Sequence, residues 1–101
     1  MKIRDGLEVD DERLAELCRR HDVVELAVFG SVLRDDFHAD SDVDVLVTFA
    51  ASATPAWGGA RFAIDLEQLL GRRVDLGERS ALHWVIRSEV LTEAKVLYVA
   101  A

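Results

Sequence analysis

Apolar residues first recur at helical spacing in the segment from Asp10 to His21, where Leu14, Leu17 and Cys18 form a stripe. Side chains three and four positions apart share one face of a helix, so this segment predicts an amphipathic helix. Asp10, Asp11 and Glu12 open it, and Arg19, Arg20 and His21 close it. Acids thus sit at the positive end of the helix dipole and cations at the negative end. The period then changes. Val23 to Phe29 is a nearly continuous apolar run, the pattern of a strand covered on both faces. Gly30-Ser31 breaks that run, and Ser31 to about Asp35 reads as a short helix with Ser31 near its N-cap. Phe37 to Asp40 reads as loop. Asp42 to Phe49 predicts a second strand, with Val43, Val45 and Val47 alternating against Asp42, Asp44, Leu46 and Thr48.

Further along, Thr54-Pro55 has the form of an N-cap followed by proline at the first helical position. The helix it opens is predicted to run to Leu70, with Phe62, Leu66, Leu69 and Leu70 buried and Gly71 as the stop. Arg73 to Leu76 predicts a third, short strand. Ser80 to Lys95 reads mostly as helix, in one piece or two, and Val96 to Val99 as either its last turn or a short edge strand. Met1 to Asp11 mixes charges with isolated apolar residues and holds no signal-peptide core. The order is helix, strand, helix, strand, helix, strand, helix, which is an α/β layer with helices packed on a small sheet.

A length of 101 residues suits one domain with one core, spanning 1–101 without room for a second module. Half of the residues are hydrophobic, with six glycines and one proline, the balance of a folded protein. The net charge of −7 repels a phosphate backbone, so direct nucleic-acid binding is not expected, while a basic protein partner would be suited. The single cysteine, Cys18, excludes an internal disulfide and fits a reducing compartment. Its place on the apolar stripe predicts a small buried hydrophobe rather than a nucleophile. No apolar run approaches the length of a membrane span, and the expectation is a soluble cytoplasmic protein without membrane contact.

The chemistry concentrates between Phe29 and Val47. A strand ending in Gly30, followed by a helix start at Ser31, can seat an anion. Glycine lets a ligand approach the backbone, free N–H groups point at it, and the Ser31 hydroxyl adds a donor. Gly-Ser alone reads first as an ordinary strand-to-helix turn with a serine cap. Asp42 and Asp44, two apart on a strand, point to one face at roughly 6–7 Å between Cα atoms. Acids in an apolar strand call for a cation, and hard carboxylate oxygens suit Mg²⁺ better than Zn²⁺. His38 lies in the loop and reads as solvated rather than as a ligand. Asp75, in the short run Arg73-Val74-Asp75-Leu76, would join the other two acids if its strand lay beside Asp42 to Phe49; otherwise it is an edge-strand surface acid.

Gly30-Ser31, ten further residues and then Asp42-Val43-Asp44 resemble the signature of the polymerase-beta-like nucleotidyltransferase superfamily. With Leu69-Leu70-Gly71-Arg72-Arg73-Val74-Asp75-Leu76, which resembles the segment bearing that family's third carboxylate, nearly the whole chain resembles its minimal nucleotidyltransferase (MNT) branch. The resemblance implies a small mixed sheet flanked by helices and Mg²⁺-dependent transfer of AMP from ATP. It assigns the terminal phosphates to Gly30 and Ser31. It assigns two Mg²⁺ ions to Asp42 and Asp44, with Asp75 completing the site and deprotonating or orienting the acceptor hydroxyl. Arg34 either touches the triphosphate or pairs with Asp36 or Asp40. Leu33 and Asp35 depart from the small residue and the glycine usual on either side of this arginine, and aspartate tolerates the left-handed backbone such a turn can require.

The acceptor implied is a tyrosine of a HEPN-type RNase toxin, whose antitoxin this chain would be. The alternatives are a non-catalytic binding antitoxin or nucleotide-sensing regulatory subunit, and a small-molecule nucleotidyltransferase. Trp57 and Trp84 are expected to pack rather than stack on a base, Tyr98 is expected to be a core or interface residue, and His83 is assigned no chemistry.

Overall fold

The computed structural model describes residues 1–35, 37–51, 59–78 and 93–100. The first elements are two short antiparallel strands, β1 (Lys2–Arg4) and β2 (Leu7–Glu8), joined through Asp5 and Gly6. Gly6 has φ +80°, which the tight reversal requires. Ile3, Leu7 and Val9 are all buried, so this hairpin closes one end of the core. Helix α1 (Asp11–Arg20) follows. The Asp10 carboxylate accepts the Arg13 N–H at 3.0 Å and so caps the helix, whose buried stripe is Leu14, Leu17 and Cys18 as the spacing predicts. Burial pushes the Cys18 thiol up to about 12, so it is an inert core residue.

The main sheet has four strands in the order β5-β4-β3-β6. Strand β3 (Val23–Phe29) pairs antiparallel with β4 (Val43–Phe49) and with β6 (Lys95–Val99), while β5 (Val74–Glu78) runs parallel to β4. The sheet is therefore mixed. Between β4 and β5 the chain passes through helix α2 (Ala60–Leu70), which follows Gly59 and ends at Gly71 as expected. Thr54-Pro55, Trp57, and the helix predicted over Ser80 to Lys95 with His83 and Trp84, lie outside the described residues except at its end. There Lys95 already belongs to β6, and Val96 to Val99 is the edge strand rather than a helical turn.

Alternation along β4 sends Val43, Val45 and Val47 to the face covered by α1 and α2, where they meet Leu14, Leu17, Phe62 and Leu66 in the core. Asp44, Leu46 and Thr48 face the other way. Tyr98 packs against the core edge, as expected. Among the described residues no helix is long and apolar enough to cross a membrane.

Candidate active site

The C-terminal end of β3 is where backbone and carboxylate meet. Phe29 is the register partner of Asp44 on β4, and the next residue, Gly30, has φ +75°. A Cβ at Gly30 would collide with the Asp44 carboxylate, so both the backbone angle and the space demand glycine. In this structure the group that comes closest to Gly30 is an acid of the same chain. The following segment, Gly30–Leu33, is a single 3-10 turn. Its N-cap is Phe29, which makes no side-chain capping bond, so Ser31 sits inside the turn rather than at its cap. The reason is local: the left-handed Gly30 reverses the chain one residue early. The Ser31 N–H bonds the Asp44 carboxylate. Val32, almost fully buried, anchors the turn in the core. The chain leaves through Arg34 in an extended conformation, and Asp35 has no need of a left-handed one.

Asp75 is the direct register partner of Asp44 across the parallel β4–β5 pair. The condition set by the sequence is met, and Asp75 is exposed on the edge strand. Asp44 is half-buried, and its carboxyl is raised above the usual range, first by burial, then by the charge of Asp75 and, more weakly, of Asp42. The Ser31 N–H and Arg34 pull the other way. Asp42 stands one residue before β4 instead of within it, is exposed, and holds the Arg73 Nε at 3.1 Å. The argument that an apolar strand forces its acids into burial therefore holds only for Asp44, because these acids lie on the face opposite the core. Among the described residues no three potential ligands already meet at one ion-sized point. Asp44 and Asp75 are side by side, and Asp42 is turned to a guanidinium.

Arg34 pairs loosely with Glu93, at 3.9 Å and largely exposed, and not with Asp40; Asp36 lies outside the described residues. His38 is a loop organiser, its Nδ1 accepting the Asp40 N–H at 3.2 Å.

Four residues given no role by sequence reasoning surround the loop between the turn and β4. Arg73 donates to the Asp40 carbonyl at 2.9 Å as well as binding Asp42. Arg72 donates to the carbonyls of His38 and Ser41 at 2.7 and 2.9 Å. Arg4 donates to those of Val32 and Arg34 at 3.1 and 2.8 Å. Both Arg4 and Arg72 lie over the ring of Phe37. The one hint in the sequence was the placing of Arg72-Arg73 directly before Val74-Asp75.

The chain is similar to known proteins in sequence and in fold. The protein adenylyltransferase MntA of Thermococcus cleftensis is 43% identical over 84 residues, covering 83% of this chain and 82% of that protein. A solved structure of a candidate minimal nucleotidyltransferase is 42% identical, with TM-score 0.71 over 84% of this chain and 86% of the other. The fold is also that of a chain in the solved complex of tri-AMPylated Shewanella oneidensis HEPN toxin with its MNT antitoxin, at 23% identity and TM-score 0.62 over 89% and 70% of the two chains. The model of the nucleotidyltransferase domain family matches residues 11–97, from the start of α1 into β6 with both faces of the Asp44–Asp75 pair included, and the chain belongs to that family.

Proposed function

We propose that this chain transfers AMP from ATP to a tyrosine of a partner HEPN-type RNase toxin, and that it acts as the toxin's antitoxin. The observation that carries the reading is the in-register pair Asp44 and Asp75, set beside Gly30-Ser31 with Asp42 two residues away. The likeness to a protein named adenylyltransferase, and to the fold of an antitoxin seen with an AMPylated toxin, supports the choice of acceptor.

The donor set fits Mg²⁺. Carboxylate oxygens are hard ligands, and a divalent cation would offset the burial that chiefly raises Asp44 and the repulsion from Asp75 and Asp42 that adds to it. Asp42 and Asp44 would hold the ions and Asp75 would complete the set, with Asp42 exchanging its contact with Arg73 for the metal. When bound, the ions supply charge stabilisation at the phosphoryl oxygens. Ser31 would offer its hydroxyl to the terminal phosphates, its N–H being given to Asp44. In the transfer, the tyrosine oxygen bonds to the α-phosphorus, and the bond from that phosphorus to the oxygen bridging to the β-phosphate breaks. Pyrophosphate leaves, and the phenolic proton passes to a base. Asp75, open to solvent on the edge strand, is placed to orient the hydroxyl or take that proton. A phosphodiester on tyrosine adds bulk and negative charge where an RNase must bind RNA phosphates, so repulsion and blockage act together.

The test mixes purified toxin with a small fraction of this protein, ATP and Mg²⁺, then measures intact mass and RNase activity. Covalent silencing gives a gain of one or more AMP groups and a loss of activity that persists after this chain is removed. Inhibition that needs equal amounts, ignores ATP and leaves the mass unchanged establishes a contact inhibitor instead.

A further inference from the structure

The loop from Arg34 to Asp42 has to deliver Asp42 to a point two residues from Asp44, and the internal bonds among its described residues are exposed. The Ser41 N–H donates to the His38 carbonyl at 3.0 Å, and the His38 N–H to the Ser41 Oγ at 3.1 Å. The Asp40 N–H donates to His38 Nδ1 at 3.2 Å. From outside the loop, Arg73 holds the Asp40 carbonyl at 2.9 Å and the Asp42 carboxylate at 3.1 Å, and two further arginines hold the backbone. Arg72, in the turn between α2 and β5, grips the carbonyls of His38 and Ser41 with one nitrogen, at 2.7 and 2.9 Å. The second of these carbonyls is on the peptide that leads into Asp42. Arg4, at the end of β1, grips the carbonyls of Val32 and Arg34, where the loop begins. The two guanidiniums share the Phe37 ring, Arg4 at 4.7 Å and Arg72 at 4.4 Å from its centroid.

Two like charges on one ring repel, and each needs compensation. Among the described residues neither Arg4 nor Arg72 has a carboxylate within ion-pair distance; both rest on carbonyl dipoles and on the negative face of the ring. Both arginines are half-buried, and their donors are spent on backbone carbonyls of the loop rather than on described carboxylates. What the arrangement does achieve is to fix both ends and the middle of one loop. Lysine cannot substitute, because a single ammonium does not stack flat on a ring while reaching two carbonyls.

We propose that Arg72, acting with Phe37 and Arg4, is a positioning residue that holds the 34–42 loop so that Asp42 and Asp44 present their carboxylates to a divalent cation together. This rests on the reading of Asp42 and Asp44 as metal ligands. It assigns Arg72 no contact with substrate.

Mn²⁺ alone is the probe, its binding to the full chain followed by electron paramagnetic resonance, with thermal unfolding measured in parallel. Arg72→Met keeps the side-chain length but loses the donors and the charge. It is expected to weaken Mn²⁺ binding by about ten-fold or more, the usual cost of removing a group that orients metal ligands. Arg72→Lys is expected not to restore it. Phe37→Leu fills the space without a π face and is expected to weaken binding in the same direction by about three-fold, whereas Phe37→Tyr keeps the wild-type affinity. If Arg72→Met does not fold, the Phe37→Leu and Phe37→Tyr pair decides. Wild-type Mn²⁺ affinity in folded Arg72→Met and Phe37→Leu, with binding lost in Asp44→Asn, overturns the positioning role alone. Wild-type affinity in Asp44→Asn overturns the metal-site reading beneath it.

Discussion

The two ends of β3 treat carboxylates in opposite ways. Ahead of the strand, Asp65 of α2 meets His21 at 2.8 Å, and the imidazole also packs edge-on against Phe62, with 5.3 Å between ring centroids. That acid has a donor, a sheltering ring and a place between two helices. Beyond the strand, Asp44 has other acids for neighbours, and its carboxyl is raised by burial and by Asp75. One end is arranged as a protein arranges charges for stability. The other keeps carboxylates close together at a cost in stability, which is the usual mark of a site built for a cation or a reacting group.

The comparison breaks most sharply under the double substitution Asp42→Asn with Asp44→Asn. AMP transfer is expected to fall by about a thousand-fold or more, because the amides carry no charge to hold Mg²⁺. The melting temperature should hold or rise. Measurable transfer by the folded double variant would remove these acids from the mechanism.

Gly30→Val comes next. Its side chain would meet the Asp44 carboxylate and force a β-branched residue to positive φ, for a loss of about 2 kcal/mol or more in stability. Transfer should fall far more than in Ser31→Ala, which removes one hydroxyl donor and leaves the backbone in place. Steady-state kinetics against ATP concentration compares the two, and equal, negligible effects would move the nucleotide away from this turn.

At the other end, His21→Leu is expected to cost about 1 kcal/mol by denaturant unfolding, from the lost hydrogen bond to Asp65. Transfer at a temperature where the variant is folded should not change. A drop in transfer without a drop in stability would show that the two ends are not separate.

The smallest effect is the pH dependence that Asp44 contributes. Its folded-state pKa lies above the unfolded value, so the folded chain binds the proton more tightly. Stability therefore rises as pH falls through that raised pKa, and the charged form carries its full cost at neutral pH. Asp44→Asn can still accept the Ser31 N–H. It is expected to gain about 0.5 kcal/mol at neutral pH, screened by solvent because the group is only half-buried, with the advantage fading on acidification. Urea unfolding at several pH values, wild type against variant, reads the difference. An advantage that grows on acidification would reverse the assigned cause.

Much of this contrast can be read from the residues. The strands β3, β4 and β5 announce themselves by apolar runs and alternation, and Asp44 and Asp75 fall on them at positions that permit pairing. Their register needed the fold. The N-terminal hairpin was missed although Asp5-Gly6 stands between Ile3 and Leu7, because strands of three and two residues are too short to show a period. Asp42 was placed inside the strand, where alternation alone puts it, but the Arg73 contact lies just outside. Beyond the placing of Arg72-Arg73 directly before Val74-Asp75, the grip of Arg4 and Arg72 on backbone carbonyls had no legible signal, since every residue offers a carbonyl and no residue type marks the ones used.

The contact between Gly30 and Asp44 also orders the substitutions this lineage can accept. Two constraints, one steric and one conformational, hold position 30 to glycine, and the steric one belongs to the carboxylate across the sheet. A descendant that lost Asp44 to a smaller residue would shed the first and keep the second, so asparagine, which tolerates positive φ, would become admissible at 30. A side chain that arrives first at 30 meets the acid and displaces it, so it carries a cost in both stability and transfer that the opposite order avoids.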